Sequence, residues 1–158
     1  HHRRRFQRAA RPLSGPGGTV VIKYLLDTNV LSEAVKTSPL PAIMDKLSRH
    51  RDEIATAAPV WHELQFGCRR LPPSRKRETI ETYLYQVVLP NLPILPYDEQ
   101  AAARHAEERA RLVGQGKTPA FVDGQIAAIA AVHQLILVTR NITDFSDFSE
   151  PSLENWHV

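Results

Sequence analysis

The chain reads as an α/β protein in which helices alternate with the strands of a short, mostly parallel sheet. Three observations predict it. Brief near-continuous apolar runs, of the kind buried on both sides in parallel sheets, occur at Ile22 to Leu26 and Leu135 to Val138. Segments with helical spacing of apolar residues alternate with such runs, as βαβ units require. Carboxylates stand just beyond strand ends, and Asp27 directly follows the first run, where open α/β sheets form their ligand crevice.

Each element has its own reason. After Asp27, Val30 to Val35 makes a short helix, which Pro39 and Pro41 interrupt. Ile43, Met44 and Leu47 give the segment up to His50 one narrow apolar helical face. Glu53 to Ala57 is the second strand. Pro59 suits the first turn of the next helix, which carries Val60, Glu63, Leu64 and Gly67 and ends near Leu71-Pro72-Pro73. Residues 74–89 form the clearest amphipathic helix, with Ile80, Tyr83, Leu84, Val87 and Val88 on one face. Arg75, Lys76, Arg77, Glu78 and Glu81 occupy its start and outer side, a cluster that suits a solvated face or a phosphate contact. Only a two-residue strand, Ile94-Leu95, fits between Pro93 and Pro96. Asp98 caps a long helix to Leu112, closed by Gly114-Gln115-Gly116. Thr118-Pro119 opens a helix through His133, Leu135 to Val138 is the fourth strand, and Leu153 to Trp156 adds an edge strand.

The bulk numbers narrow the class. A chain of 158 residues is long enough for one domain with a full core, and 42% apolar content is ordinary for such a domain. No apolar run approaches the roughly 18 residues that cross a bilayer. The single cysteine, Cys68, excludes an intramolecular disulfide framework and fits a reducing, cytoplasmic setting, with helix packing as its role. The basic pI of 9.2 comes from residues 1–20, which hold Arg3, Arg4, Arg5, Arg8 and Arg11 and no acid. Removing those five charges turns the net +3 into −2 for residues 21–158, so whole-chain charge does not argue for a nucleic-acid surface. No methionine precedes Met44, and residues 1–20 are expected to be a tag-like or disordered basic tail, with an RNA-touching arm as the alternative.

Four acids sit where chemistry is expected. Asp27 follows the first strand, Glu63 lies early in the helix after the second, Asp123 early in the helix after Pro119, and Asp144 beyond the fourth strand. Taken singly, each suits a structural role, as a helix cap, a surface acid, a dipole partner or a turn residue. Taken together on one sheet edge, they repel, and a hard divalent cation relieves that repulsion. Mg²⁺ or Mn²⁺ fits an oxygen donor set, and the absence of Cys and His at ligand spacing argues against zinc. Such an ion polarises a phosphoryl oxygen and lowers the pKa of a bound water.

Four segments carry a family resemblance. Leu26-Asp27-Thr28-Asn29-Val30-Leu31-Ser32-Glu33, Glu63-Leu64-Gln65-Phe66-Gly67, Asp123-Gly124-Gln125-Ile126-Ala127-Ala128 and Thr139-Arg140-Asn141-Ile142-Thr143-Asp144-Phe145 resemble, in order and spacing, the motifs of PIN-domain ribonucleases. The likeness is specifically to the VapC/FitB-like toxins of toxin–antitoxin pairs. The resemblance spans about Val21 to His157 and implies a PIN-like nuclease domain over residues 21–158, folded as a three-layer α/β sandwich around a short, mostly parallel sheet flanked by helices. It implies a Mg²⁺- or Mn²⁺-dependent endoribonuclease that hydrolyses RNA phosphodiester bonds with a metal-activated water. Asp27, Glu63, Asp123 and Asp144 would be its catalytic and metal-binding acids. Some relatives place the fourth acid directly after Thr-Arg, where this chain has Asn141, so Asn141 and Asp144 both stand as candidates for that corner. Thr28 and Thr139 would orient the carboxylates or a water. A homodimer and a small cognate antitoxin of the VapB/FitA kind are the implied partners, with Leu40 to Leu47 and the Ile80 to Val88 face as apolar surface for a groove or a dimer contact. Two other readings remain: a HAD-like phosphohydrolase, which needs an acid where Asn29 stands, and a catalytically weak PIN module that binds RNA or a partner.

Overall fold

The computed structural model describes residues 21–158, so the expectations for residues 1–20 lie outside the described residues. Five strands form one sheet: β1 (Tyr24–Leu26), β2 (Ile54–Ala57), β3 (Ile94–Leu95), β4 (Ile136–Val138) and β5 (Leu153–Glu154). Their order is β3-β2-β1-β4-β5, and every pair is parallel. The register sets Leu26 beside Thr56 on one side and Val138 on the other. β2 is buried along its whole length, and Leu25, Leu26, Leu137 and Val138 are fully buried. Each of these leucines contributes roughly 1.5–3 kcal/mol by leaving water, which is what holds such short strands together.

The helices cover both faces. They are α1 (Thr28–Leu31), continued by a 3₁₀ turn over Ser32–Val35, then α2 (Pro41–Arg49), α3 (Ala58–Arg69) and α4 (Arg75–Tyr83). A short α5 (Leu89–Asn91) precedes α6 (Glu99–Gly114), α7 (Phe121–Val132) and a single turn, α8 (Ile142–Phe145). Ser74 caps α4 by accepting from the Arg77 N–H at 3.2 Å, and Asp98 caps α6 by accepting from Ala101 N–H at 3.0 Å. Cys68 is buried in the α3 packing, as expected for a lone cysteine.

Three elements differ from expectation. The helix expected over residues 74–89 widens into a π turn at Leu84–Val88, where Leu89 N–H donates to the Leu84 carbonyl. Pro90 follows directly; it has no N–H to donate, and its ring crowds the carbonyl four residues back. The helix expected from Pro119 begins at Phe121 instead, because Ala120 keeps an extended ψ of 136°. The edge strand is also shorter than Leu153 to Trp156: it stops at Glu154, and Trp156 turns into the core at 1% exposure. Its ring lies 5.1 Å from Tyr24 and 5.3 Å from His50.

Candidate active site

The sheet builds outward in one direction from β1 through β2 to β3, and in the other through β4 to β5. Strand order therefore reverses between β1 and β4, and in open α/β sheets ligands bind beyond the carboxyl ends of the strands at that point. Asp27 ends β1 there and Thr139 ends β4 beside it. Asp27 is both the cap of α1 and a member of the acid group. Its Oδ1 accepts from the Thr28 backbone N–H at 2.8 Å, and its Oδ2 accepts from the Thr139 hydroxyl at 2.8 Å. Both oxygens are thus fixed in direction while the side chain is 7% exposed. The Thr139 hydroxyl also accepts from Asn141 N–H at 3.0 Å, so the turn beyond β4 is folded around the same oxygen.

Three carboxylates feel one another. Burial pushes the Asp27 carboxyl above its ordinary value, and the charge of Asp144 adds to that, against the lowering effect of its two hydrogen bonds. Asp123 is pushed up to about 6, first by burial and then by the charges of Asp144 and Asp27. Asp144 projects from α8, exposed, and Asp123 stands half-buried in the first turn of α7. Asp144, rather than the neutral and exposed Asn141, supplies the charge at this corner. Glu63 is exposed on α3 and shares the lining of a small cleft with Thr28 and Ser32, but it is not among the charges that act on Asp27 or Asp123. Thr28 contributes through its backbone N–H.

The donor set is carboxylate oxygen, and the raised proton affinity of Asp27 and Asp123 is what a hard dication relieves, so Mg²⁺ or Mn²⁺ fits its chemistry. Among the described residues, no three His, Cys, Asp or Glu side chains stand close enough to hold a metal ion between them. Asp27, Asp123 and Asp144 stand within Coulombic reach of one another, not at a common ligating point.

Two supporting residues escaped the reading of the sequence. The Asn29 side-chain carbonyl accepts from the Arg140 backbone N–H at 3.0 Å, latching the end of β4 to the start of α1. Glu33 is 1% exposed, and Lys36 at 2.9 Å and the Leu40 N–H at 2.9 Å hold its carboxyl below the usual range. It pins the segment leading into α2. An Asn two residues after a strand-end Asp was a usable signal for the latch; nothing in the sequence separated Glu33 from a surface acid.

Comparison with known proteins identifies the family. The PIN domain matches residues 24–150. Toxin FitB of Neisseria gonorrhoeae is 34% identical over 136 residues, covering 84% of this chain and 98% of that protein. Ribonuclease VapC2 of Haemophilus influenzae is 31% identical over 137 residues, covering 86% and 99%. The crystal structure of FitAcB from Neisseria gonorrhoeae superposes with a TM-score of 0.77 at 33% identity, covering 85% of this chain and 99% of that one. The chain belongs to the PIN-domain family, in the branch that holds FitB and VapC.

Proposed function

We propose that this chain is a metal-dependent endoribonuclease and the toxin of a toxin–antitoxin pair. The observation that carries the reading is the mutual charge of Asp27, Asp123 and Asp144 at the strand-order reversal, with Asp123 pushed up to about 6. Asp27, Asp123 and Asp144, joined by Glu63 from α3, would hold Mg²⁺ or Mn²⁺. When bound, the ion supplies Lewis acidity at the phosphoryl oxygen and a water acidic enough to attack at neutral pH. Thr139 and the Thr28 N–H keep both Asp27 oxygens aimed, so that carboxylate does not reorient during the reaction. Asn29 and the Thr139 hydroxyl hold the turn that presents Asp144. RNA as substrate follows from relatives named ribonucleases, and an antitoxin partner from relatives solved as toxin–antitoxin complexes.

Asn29 also weighs against the HAD-like alternative. That chemistry needs an acid two residues after the first, and here the position is a neutral amide already committed to Arg140. The antitoxin has a suitable seat in a groove of about 470 Å³ lined by Leu31, Met44, Leu47, Tyr83 and Val87. Incubation of mixed RNA with Mn²⁺ tests the reading. Wild type should cut, EDTA should stop it, and Asp123→Asn should lose activity by about 10²-fold or more, the scale of removing one transition-state charge contact. An Asp123→Asn variant as active as wild type would remove the metal site; an intact wild type without nuclease activity would leave the catalytically weak binding module.

A further inference from the structure

We propose that the exposed side of α3, continued by the start of α4, is the path of the RNA strand leaving the acid centre, with Phe66 as a base-stacking platform. The inference rests on the ribonuclease reading above. Phe66 and Arg70 follow Glu63 by three and seven residues along α3 and its C-terminal cap, which places all three within about 60° of one another on one helix face. All three are exposed, Phe66 at 51%. The Arg70 guanidinium lies 5.1 Å from the Phe66 ring centroid, and the His62 ring lies 6.2 Å away at 29°. The helix thus runs from Glu63, which shares a cleft with Thr28 next to Asp27, past an exposed phenyl ring, to a cationic end.

That cationic end is available. Among the described residues, Arg69, Arg70, Arg75 and Lys76 are exposed and form no ion pair, whereas Arg77 is held by Glu81 at 3.0 Å and by the Leu71 carbonyl. Four such cations beyond one aromatic ring match a single strand: a base on the ring, flanking phosphates on the arginines and lysine. A second copy of the chain is a poorer occupant, because the surroundings of Phe66 are His62, Glu63, Arg69 and Arg70, and the fully buried centres of protein interfaces are depleted in charge. The same cations explain how a slightly acidic domain holds a polyanion at all.

Binding is measured apart from cleavage, in EDTA, with a short single-stranded RNA carrying 2-aminopurine, alongside KM and kcat in Mn²⁺. Phe66→Leu should weaken binding about 5- to 100-fold and raise KM, and Phe66→Trp should restore both. Arg75→Ala with Lys76→Ala should flatten the dependence of log Kd on log salt by about 0.7 for each phosphate that is no longer neutralised. Unchanged Kd, KM and salt slope in these variants overturns the path, even if wild type cuts RNA. A change of particle mass in sedimentation with unchanged binding per protomer also overturns it, by making the face a protein contact. If wild type binds and Phe66→Leu does not, yet neither cuts with any metal, the path stands and the nuclease reading falls.

Discussion

Asp123 holds its proton more tightly in the folded chain than out of it, about 6 against an ordinary 3.8, because it is part-buried beside two other carboxylates. The folded state therefore gains most from this group below about pH 4, and the gain is lost as pH rises through about 6. In EDTA, wild type should lose stability between about pH 5 and pH 7.5, and Asp123→Asn should lose about 1–2 kcal/mol less. Thermal unfolding at the two pH values measures it; parallel curves would mean that the charges are too far apart to matter. At this scale the sequence showed which acids lie at strand ends and helix starts. It did not show the bonds from Thr139 to Asp27 or from Arg140 to Asn29, because each spans more than a hundred residues and depends on which strands are neighbours.

The pairing of α6 with α7 fixes how Asp123 is presented. His105, 4% exposed on α6, bonds the Tyr97 hydroxyl through Nδ1 at 2.8 Å and lays its ring against Gly124 and Phe121. A Cβ at Gly124 would strike that ring, so the residue after Asp123 is glycine for lack of space. Gly124→Ala should cost about 1–3 kcal/mol by overpacking, read by urea unfolding, and His105→Ala in that background should cost less than in wild type. Alternation of apolar runs and helical periods revealed most of the elements from β1 to β4 at close to their true bounds. The π turn before Pro90 and the late start of α7 were hidden, since local pattern records which residues are apolar but not how a proline or an extended Ala120 shifts the hydrogen bonds.

Across the whole molecule, the acid crevice and the apolar groove are separate surfaces, joined by α1 and the turn after it, which begin at Asp27 and supply Leu31 and Ala34 to the groove wall. Met44 and Val87 stand exposed in that groove, at 39% and 46%. Met44→Asp or Val87→Asp should weaken antitoxin binding by roughly tenfold or more while RNA cleavage by the free toxin persists; co-purification and calorimetry with a co-expressed cognate antitoxin check this. The reach of the Thr139 to Asp27 bond, 112 residues apart in sequence, also governs when the protein becomes dangerous. A chain emerging from the ribosome displays Asp27 long before Asp123, β4 and Asp144 have been made. The acid centre therefore cannot assemble until Asp144 has been made, and the ribosome and messenger are spared up to that point. Stalled nascent chains ending at Val132 should leave labelled RNA intact, whereas chains stalled after the whole domain has cleared the exit tunnel should cut it.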